Sequence, residues 1–151
     1  MNTYHRILVP YDGSQFSERA AEHAVYIAKL SGSRVTFLTV TALPSLIYTY
    51  SEAANAAINE AAELLVKSSE GHVVRSLESL VENCKKQGLD VKLVHSVGDP
   101  ALLILETARK EETDLIVMGS KGLKGISKLK VLGSVARKVA ELSRCPVLLV
   151  H

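Results

Sequence analysis

Several things are scarce in this 151-residue chain, and each scarcity removes a class of explanation. It has two cysteines, Cys84 and Cys145, with no CxxC spacing. Neither a disulfide framework nor a zinc ribbon can be built from them, and both read as small apolar residues in a reducing compartment. No apolar run approaches the roughly 20 residues that span a bilayer, so no membrane role is expected. The five histidines, at 5, 23, 72, 95 and 151, show no ligand spacing, and no metal cluster is visible. Net charge is only +2, which gives nucleic-acid binding no global electrostatic support. There is no GxxxxGK[ST] and no GxGxxG, which excludes a Walker loop and disfavours a dinucleotide fold. The opening Met1-Asn-Thr-Tyr-His-Arg6 leads straight into a strand pattern without a secretory leader, and the expected location is the cytoplasm.

What is present is an ordinary globular composition, 47% hydrophobic and 23% charged, of a length that suits one domain over residues 1–151. Such a chain buries about 70% of its unfolded surface. No linker, repeat or low-complexity tract interrupts it. Arg6-Ile-Leu-Val-Pro10 is a short strand stopped by the turn cluster Tyr11-Asp-Gly-Ser14. Residues 16–31 carry Phe16, Ala20, Ala24, Ile27 and Ala28 at helical spacing, with Ser14 or Ser17 as cap and Gly32 at the C-terminal glycine position. Residues 34–40 are β-branched and form a second strand, so the first βαβ unit is parallel. Residues 41–54 hold Pro44 yet are apolar (Leu46, Ile47, Tyr48, Tyr50). They are either a surface loop with buried anchors or an excursion over a pocket or a neighbouring subunit.

A long helix is expected over 55–87, with Gly71 as a kink or break and Gln87-Gly88 as its end. A third strand follows at 89–94. Asp99 and Pro100 fit the cap and first position of a helix over about 101–110. A fourth strand at 114–118, a last helix at about 133–143 and a fifth strand at 145–150 complete the pattern. Five apolar strands alternating with four helices predict an open parallel sheet covered on both faces. A ligand then sits beyond the carboxyl ends of the strands, where strand order reverses.

The strongest chemical signal lies between the fourth strand and the last helix. Residues 115–140 carry six Lys/Arg and no Asp/Glu, with glycines at 119, 122 and 125. A strand, a basic glycine-bearing loop and a helix start can hold phosphate. Glycines let backbone N–H groups approach an anion, and the helix N-terminus offers unpaired donors and a favourable dipole. A soluble surface loop is the plainer alternative. Asp12 could act as a base or metal ligand, but a strand-end Asp is more often a turn residue. Ser120 and Ser134 could be nucleophiles or phosphorylation sites. Neither has a His partner nearby in sequence, and phosphate ligation is the more economical role for Ser134.

These residues resemble the universal stress protein family over essentially the whole chain. The resemblance rests on Arg6-Ile-Leu-Val-Pro-Tyr-Asp-Gly-Ser14, Gly98-Asp-Pro100, Asp114-Leu-Ile-Val-Met-Gly119, Gly133-Ser-Val-Ala-Arg-Lys-Val139 and Cys145-Pro-Val-Leu-Leu-Val150. Gly119-Ser-Lys-Gly122 and Gly133-Ser134 match the family's nucleotide-binding signature, G-x2-G-x9-G-[ST], with ten residues rather than nine in the second gap. The resemblance implies a flavodoxin-like sheet of order 3-2-1-4-5 that binds ATP, with Mg²⁺ or Mn²⁺ as its companion. It places Pro10 and Asp12 at the first strand's end, with Asp12 near the adenine, and gives Val40 backbone contacts to the base. Met118 and Gly119 would lie near the nucleoside, while Gly122, Gly133, Ser134 and Val135 would cradle phosphates. It also implies a homodimer through the last strand, 147–150, whose apolar residues suit a sheet edge in need of cover. The function expected is a regulatory or sensor module with little or no hydrolysis. The alternatives are a slow ATPase or phosphotransferase, and a dimerisation module whose loop is vestigial.

Overall fold

The computed structural model describes residues 4–42, 52–122 and 131–151, apart from some side chains between 58 and 70. The elements run β1 (Arg6–Pro10), α1 (Gln15–Ser31), β2 (Arg34–Thr41), α2 (Glu52–Lys86), β3 (Val91–Val97), α3 (Pro100–Lys110), β4 (Leu115–Gly119), α4 (Ser134–Leu142) and β5 (Val147–Val150). The strands form one parallel sheet in the order β3-β2-β1-β4-β5, the order expected. No helix among the described residues is long and apolar enough to cross a membrane. The excursion expected over 41–54 lies mostly outside the described residues.

Period-two alternation divides the core between the two sheet faces. Ile7, Val9, Val35, Phe37, Leu115 and Val117 pack with the alanines of α1 and with Leu77, Val81 and Cys84 of α2. Leu8, Leu38, Ile116 and Met118 pack on the other face with α3 and with Ala136 and Val139 of α4. Strands apolar on both sides, such as Arg6–Pro10, are explained by this double burial.

Local chemistry fixes the helix ends. The Ser14 hydroxyl accepts from the Ser17 N–H at 3.1 Å, so Ser14 rather than Ser17 caps α1. Gly32 closes that helix at φ +68 with its N–H on Ala28 O. Asp99 caps α3 by accepting from the Leu102 N–H at 2.8 Å, and Pro100 fills the first position, where no N–H is needed.

Several element bounds differ from expectation, α2 starting at Glu52 rather than 55 and β4 running over Leu115–Gly119 rather than 114–118. Helix α2 is continuous through Gly71 and spans 35 residues, about 52 Å at 1.5 Å per residue. One glycine costs only about 1 kcal/mol of helix propensity, too little to break so long an element. Strand β3 starts at Val91 rather than 89, because Leu89 still donates to Cys84 O in the turn closing α2. It then continues through His95 and Ser96 to Val97, where Thr41 pairs with it in register. Strand β5 starts two residues later than expected, since the Ser143 hydroxyl holds Cys145 in a local turn.

Helix α1 sits unusually close to β4. A Cβ built on Gly119 would lie 2.7 Å from Phe16 Cβ and 2.9 Å from the Phe16 carbonyl carbon. Gly119→Ala should therefore destabilise the fold by about 1–3 kcal/mol, the usual effect of overpacking. Denaturant unfolding reads this directly, and a variant as stable as wild type would show that α1 is not seated on β4 as described.

Candidate functional site

In this strand order β1 is central, and the connections that leave β1 and β4 diverge at their shared carboxyl end. A cavity of about 670 Å³ opens there, within the 300–1,000 Å³ range of small-molecule sites. The nine residues singled out from the sequence all line it: Pro10, Asp12 and Val40 from the β1 and β2 ends, Met118, Gly119 and Gly122 from β4 and its loop, and Gly133, Ser134 and Val135 from the start of α4.

One end of the cavity is built by β2. Along that strand, Leu38 O accepts from the Tyr11 N–H at 2.8 Å, while Thr41 O accepts from the Gly98 N–H at 2.9 Å. Successive residues of a strand address opposite neighbours, so Leu38 and Val40 face the β1 side and Thr41 faces the β3 side. Strand β1 ends at Pro10. Val40 therefore points an adjacent N–H and C=O past the end of β1, where the sheet supplies no further partner. A donor beside an acceptor on an apolar wall matches the edge of a heterocyclic base. Leu38, Met118 and Ile104, all almost fully buried, supply that wall. The Thr41 hydroxyl is 2.9 Å from His95 Nε2, which ties the β2 end to β3.

The other end is the start of α4. Its cap is Gly133, at φ −61 and ψ 152, with no side-chain cap bond. The first intrahelical bond runs from the Arg137 N–H to Gly133 O. The N–H groups of Ser134, Val135 and Ala136 are thus left without an intrahelical acceptor, at the positive end of the dipole. The Gly133 N–H itself donates to Ser120 O at 2.8 Å and so pins the loop closed. Helix α3 also starts at the cavity, with Pro100 on its lining, but Asp99 and the proline already fill its N-terminus. Only one of the two helix starts is open to an anion.

Gly122 and Gly133 provide room rather than unusual backbone. The positive-φ glycines among the described residues are Gly13, Gly32, Gly88 and Gly98. At Gly122 an added Cβ would lie 2.9 Å from Asp12 Oδ2, and at Gly133 it would lie 3.4 Å from Ser120 O and Lys121 Cα. The other Asp12 oxygen, Oδ1, accepts from the Ser14 N–H at 2.9 Å, the turn that starts α1. The Asp12 carboxylate thus lies against the loop glycine.

Other side chains enter the site that sequence reasoning left out. Tyr11, Thr39, Lys121, Ile104 and Ala136 line the cavity. Ile104 carries no motif signal, whereas Ala136 falls within the segment 133–139 and Lys121 stands between two singled-out glycines. The Tyr11 phenol titrates above its ordinary value, chiefly through burial and then through the Glu18 and Asp12 carboxylates. It stays neutral at physiological pH. Ser120 is fully buried, and among the described residues its hydroxyl has no hydrogen-bond partner; the burial argues against a phosphorylation site or solvent-facing nucleophile. Among the described residues no group of three His, Cys, Asp or Glu could hold a metal ion.

Comparison with known proteins agrees with this architecture. Residues 3–151 match the model of the universal stress protein family. The Bacillus subtilis universal stress protein YxiE is 32% identical, with 98% of this chain and 99% of that protein covered. The universal stress protein UspA of Lactobacillus plantarum superposes with a TM-score of 0.83 over the full length of both chains at 24% identity, a likeness of fold. A universal stress protein solved in complex with cAMP is 29% identical, with a TM-score of 0.59 and 99% and 98% of the two chains covered. The chain belongs to the universal stress protein family.

Proposed function

We propose that this protein binds an adenine nucleotide, with ATP as its physiological ligand, and acts as a regulatory or sensor module of the cytoplasm that turns ATP over slowly or not at all. The observation that carries the reading is the pairing of two unlike ends in one cavity. Val40 offers a donor and acceptor for a base, and α4 offers three unengaged N–H groups for phosphate. The cAMP complex of a 29% identical relative supports a nucleotide as the ligand class. Two free cysteines, one buried and one half-buried, fit a reducing compartment.

In this reading the base lies against Val40 and Met118, and Pro10 and Asp12 close the β1 side. The phosphates meet the N–H groups of Ser134 and Val135, the Ser134 hydroxyl and the backbone around Gly122. A divalent ion, Mg²⁺ or Mn²⁺, would arrive with the phosphates. Ser134→Ala removes one hydrogen bond to a charged group, about 1.5–3 kcal/mol, and should weaken ATP about 10- to 150-fold. Gly122→Val should act more severely, since its side chain meets the Asp12 carboxylate where the loop must approach the ligand. Calorimetry with ATP on wild type and both variants checks this. Unchanged ATP affinity in Gly122→Val would exclude the loop as the phosphate site, and a wild type that binds nothing would favour the vestigial-loop alternative.

Slow turnover follows from the scarcity of reactive groups. Among the described lining residues only Asp12 and Lys121 carry charge, and one Asp12 oxygen is already held by the Ser14 N–H. Steady-state hydrolysis should fall far below the ~10 s⁻¹ typical of enzymes. Robust turnover that vanished with Ser134→Ala would establish the enzyme alternative instead.

We further infer a homodimer through β5. Among the described residues this strand lies at the sheet edge and pairs only with β4, and Leu148 on it is 38% exposed. Edge strands with apolar side chains favour pairing, and a two-fold pairing of identical strands closes the assembly. Light scattering at micromolar concentration should return twice the chain mass of 16.3 kDa. A monomer under those conditions would count decisively against the interface.

A further inference from the structure

We propose that the Tyr11 phenol and the Thr39 hydroxyl form a neutral subsite for the ribose hydroxyls of the nucleotide, a specificity role that rests on the nucleotide reading above. The cavity reaches over the strand ends to both faces of the sheet. Leu38, Ile104, Met118 and Ala136 line it from the α3 and α4 face, where the phosphate donors stand. Tyr11 and Val73 line it from the α1 and α2 face. Thr39 joins them, because it follows Phe37 by two residues on β2 and so shares its face. The bond from the Tyr11 N–H to Leu38 O, 2.8 Å long, keeps the end of β1 beside Thr39.

Four lining residues on that face carry hydroxyls: Tyr11, Ser17, Thr39 and Thr41. Two of these hydroxyls are engaged. Ser17 donates to Ser14 O at 2.9 Å, and Thr41 Oγ1 lies 2.9 Å from His95 Nε2. The hydroxyls of Tyr11 and Thr39 have no hydrogen-bond partner among the described residues, although each residue is only 6% exposed. Neither is sealed in the core, since the one fully enclosed hydroxyl without a partner among the described residues is that of Ser120. Their residual surface opens on the cavity they line. A polar group withdrawn from water is costly until a partner meets it, so both oxygens favour a hydrogen-bonding ligand. The surroundings select an uncharged one. Burial first, and then the Glu18 and Asp12 carboxylates, keep the phenol protonated. Val73 and Val74 of α2 add apolar cover, and a Cβ on Gly13 would lie 3.1 Å from Val73 Cγ2, so that wall stands close. A base edge presents donors and acceptors in fixed order, which the Val40 backbone already answers. Hydroxyls both donate and accept, and the sugar hydroxyls are the groups of a nucleotide that match the phenol and the threonine in this respect.

The test is calorimetry with ATP and its 2′,3′-dideoxy analogue on wild type, Tyr11→Phe and Thr39→Val. Each variant deletes one hydroxyl with little change of shape. Wild type should bind ATP about fivefold or more tightly than the analogue, since a site built for a hydroxyl is left unpaired without it. Each variant should shrink that ratio about 2- to 10-fold, as expected for one neutral hydrogen bond. Thermal midpoints of the free variants should stay at or above the wild-type value, because no native hydrogen bond is lost. A wild type that ignores the sugar hydroxyls, or a ratio unchanged in both variants, overturns the assignment. A lowered midpoint with an unchanged ratio overturns it too, because the pair would then serve the fold. Equal losses of ATP and the analogue also overturn it, because the pair would then address the base. If one variant fails to fold, the other decides on the same ratio. A wild type that binds neither ligand is a different failure, that of the nucleotide reading itself.

Discussion

The structure depends on one constraint of parallel sheets, that each connection must leave the carboxyl end of its strand and cross a face. With β1 central, its connection goes to α1 on one face and that of β4 goes to α4 on the other. A crevice opens between them at the carboxyl ends of the two strands. Packing narrows it on the α1 side, where the stripe Ala20, Ala21, Ala24 and Ala28 and the bare Gly119 bring the helix onto the sheet. The cavity is therefore a product of topology, while its width is set by small residues.

Within that crevice the two helix starts are chemically opposite, although both are near-ideal by local rules. Helix α3 uses Asp99 and Pro100 to spend its own N-terminus, and the Lys138 ammonium lies 3.9 Å from the same carboxylate. Helix α4 starts on a glycine that supplies no side-chain oxygen. A side-chain cap there would be worth about 1 kcal/mol to the helix, so its absence leaves free donors where an anion would gain most from them. The Asp12 carboxylate against Gly122 sets the opposing term. Among the described residues that line the site, one carboxylate, Asp12, stands with one ammonium, Lys121.

Much of this was legible from residues alone, and the reason differs by element. Strands Arg6–Pro10 and Leu115–Gly119 announce themselves because burial on both faces demands continuous apolar runs. The caps at Gly32 and Asp99 are read correctly, and Ser14 is one of two candidates for its helix, because each is a bond within a few residues. The end of β3 is not legible, since His95-Ser96-Val97 belongs to a strand only through its register with Thr39-Val40-Thr41. Gly119 is singled out for a ligand, yet its missing side chain also answers to Phe16, a contact between residues distant in sequence. Ile104 enters the cavity through helix packing, which no motif encodes.

The ends of the ten-residue gap between Gly122 and Gly133 are tied to the sheet and to the β1 turn. Ser120 donates its N–H to Val150 O and accepts from the Gly133 N–H, each at 2.8 Å, and Gly122 packs on Asp12. One backbone residue thus joins β5, the end of β4 and the start of α4. Lengthening a closed loop of this size by one residue changes its closure entropy by only about 0.1 kcal/mol. The two Ser120 bonds set the start of α4 beside the end of β4, so its N–H donors and the Val40 end of the crevice line one cavity.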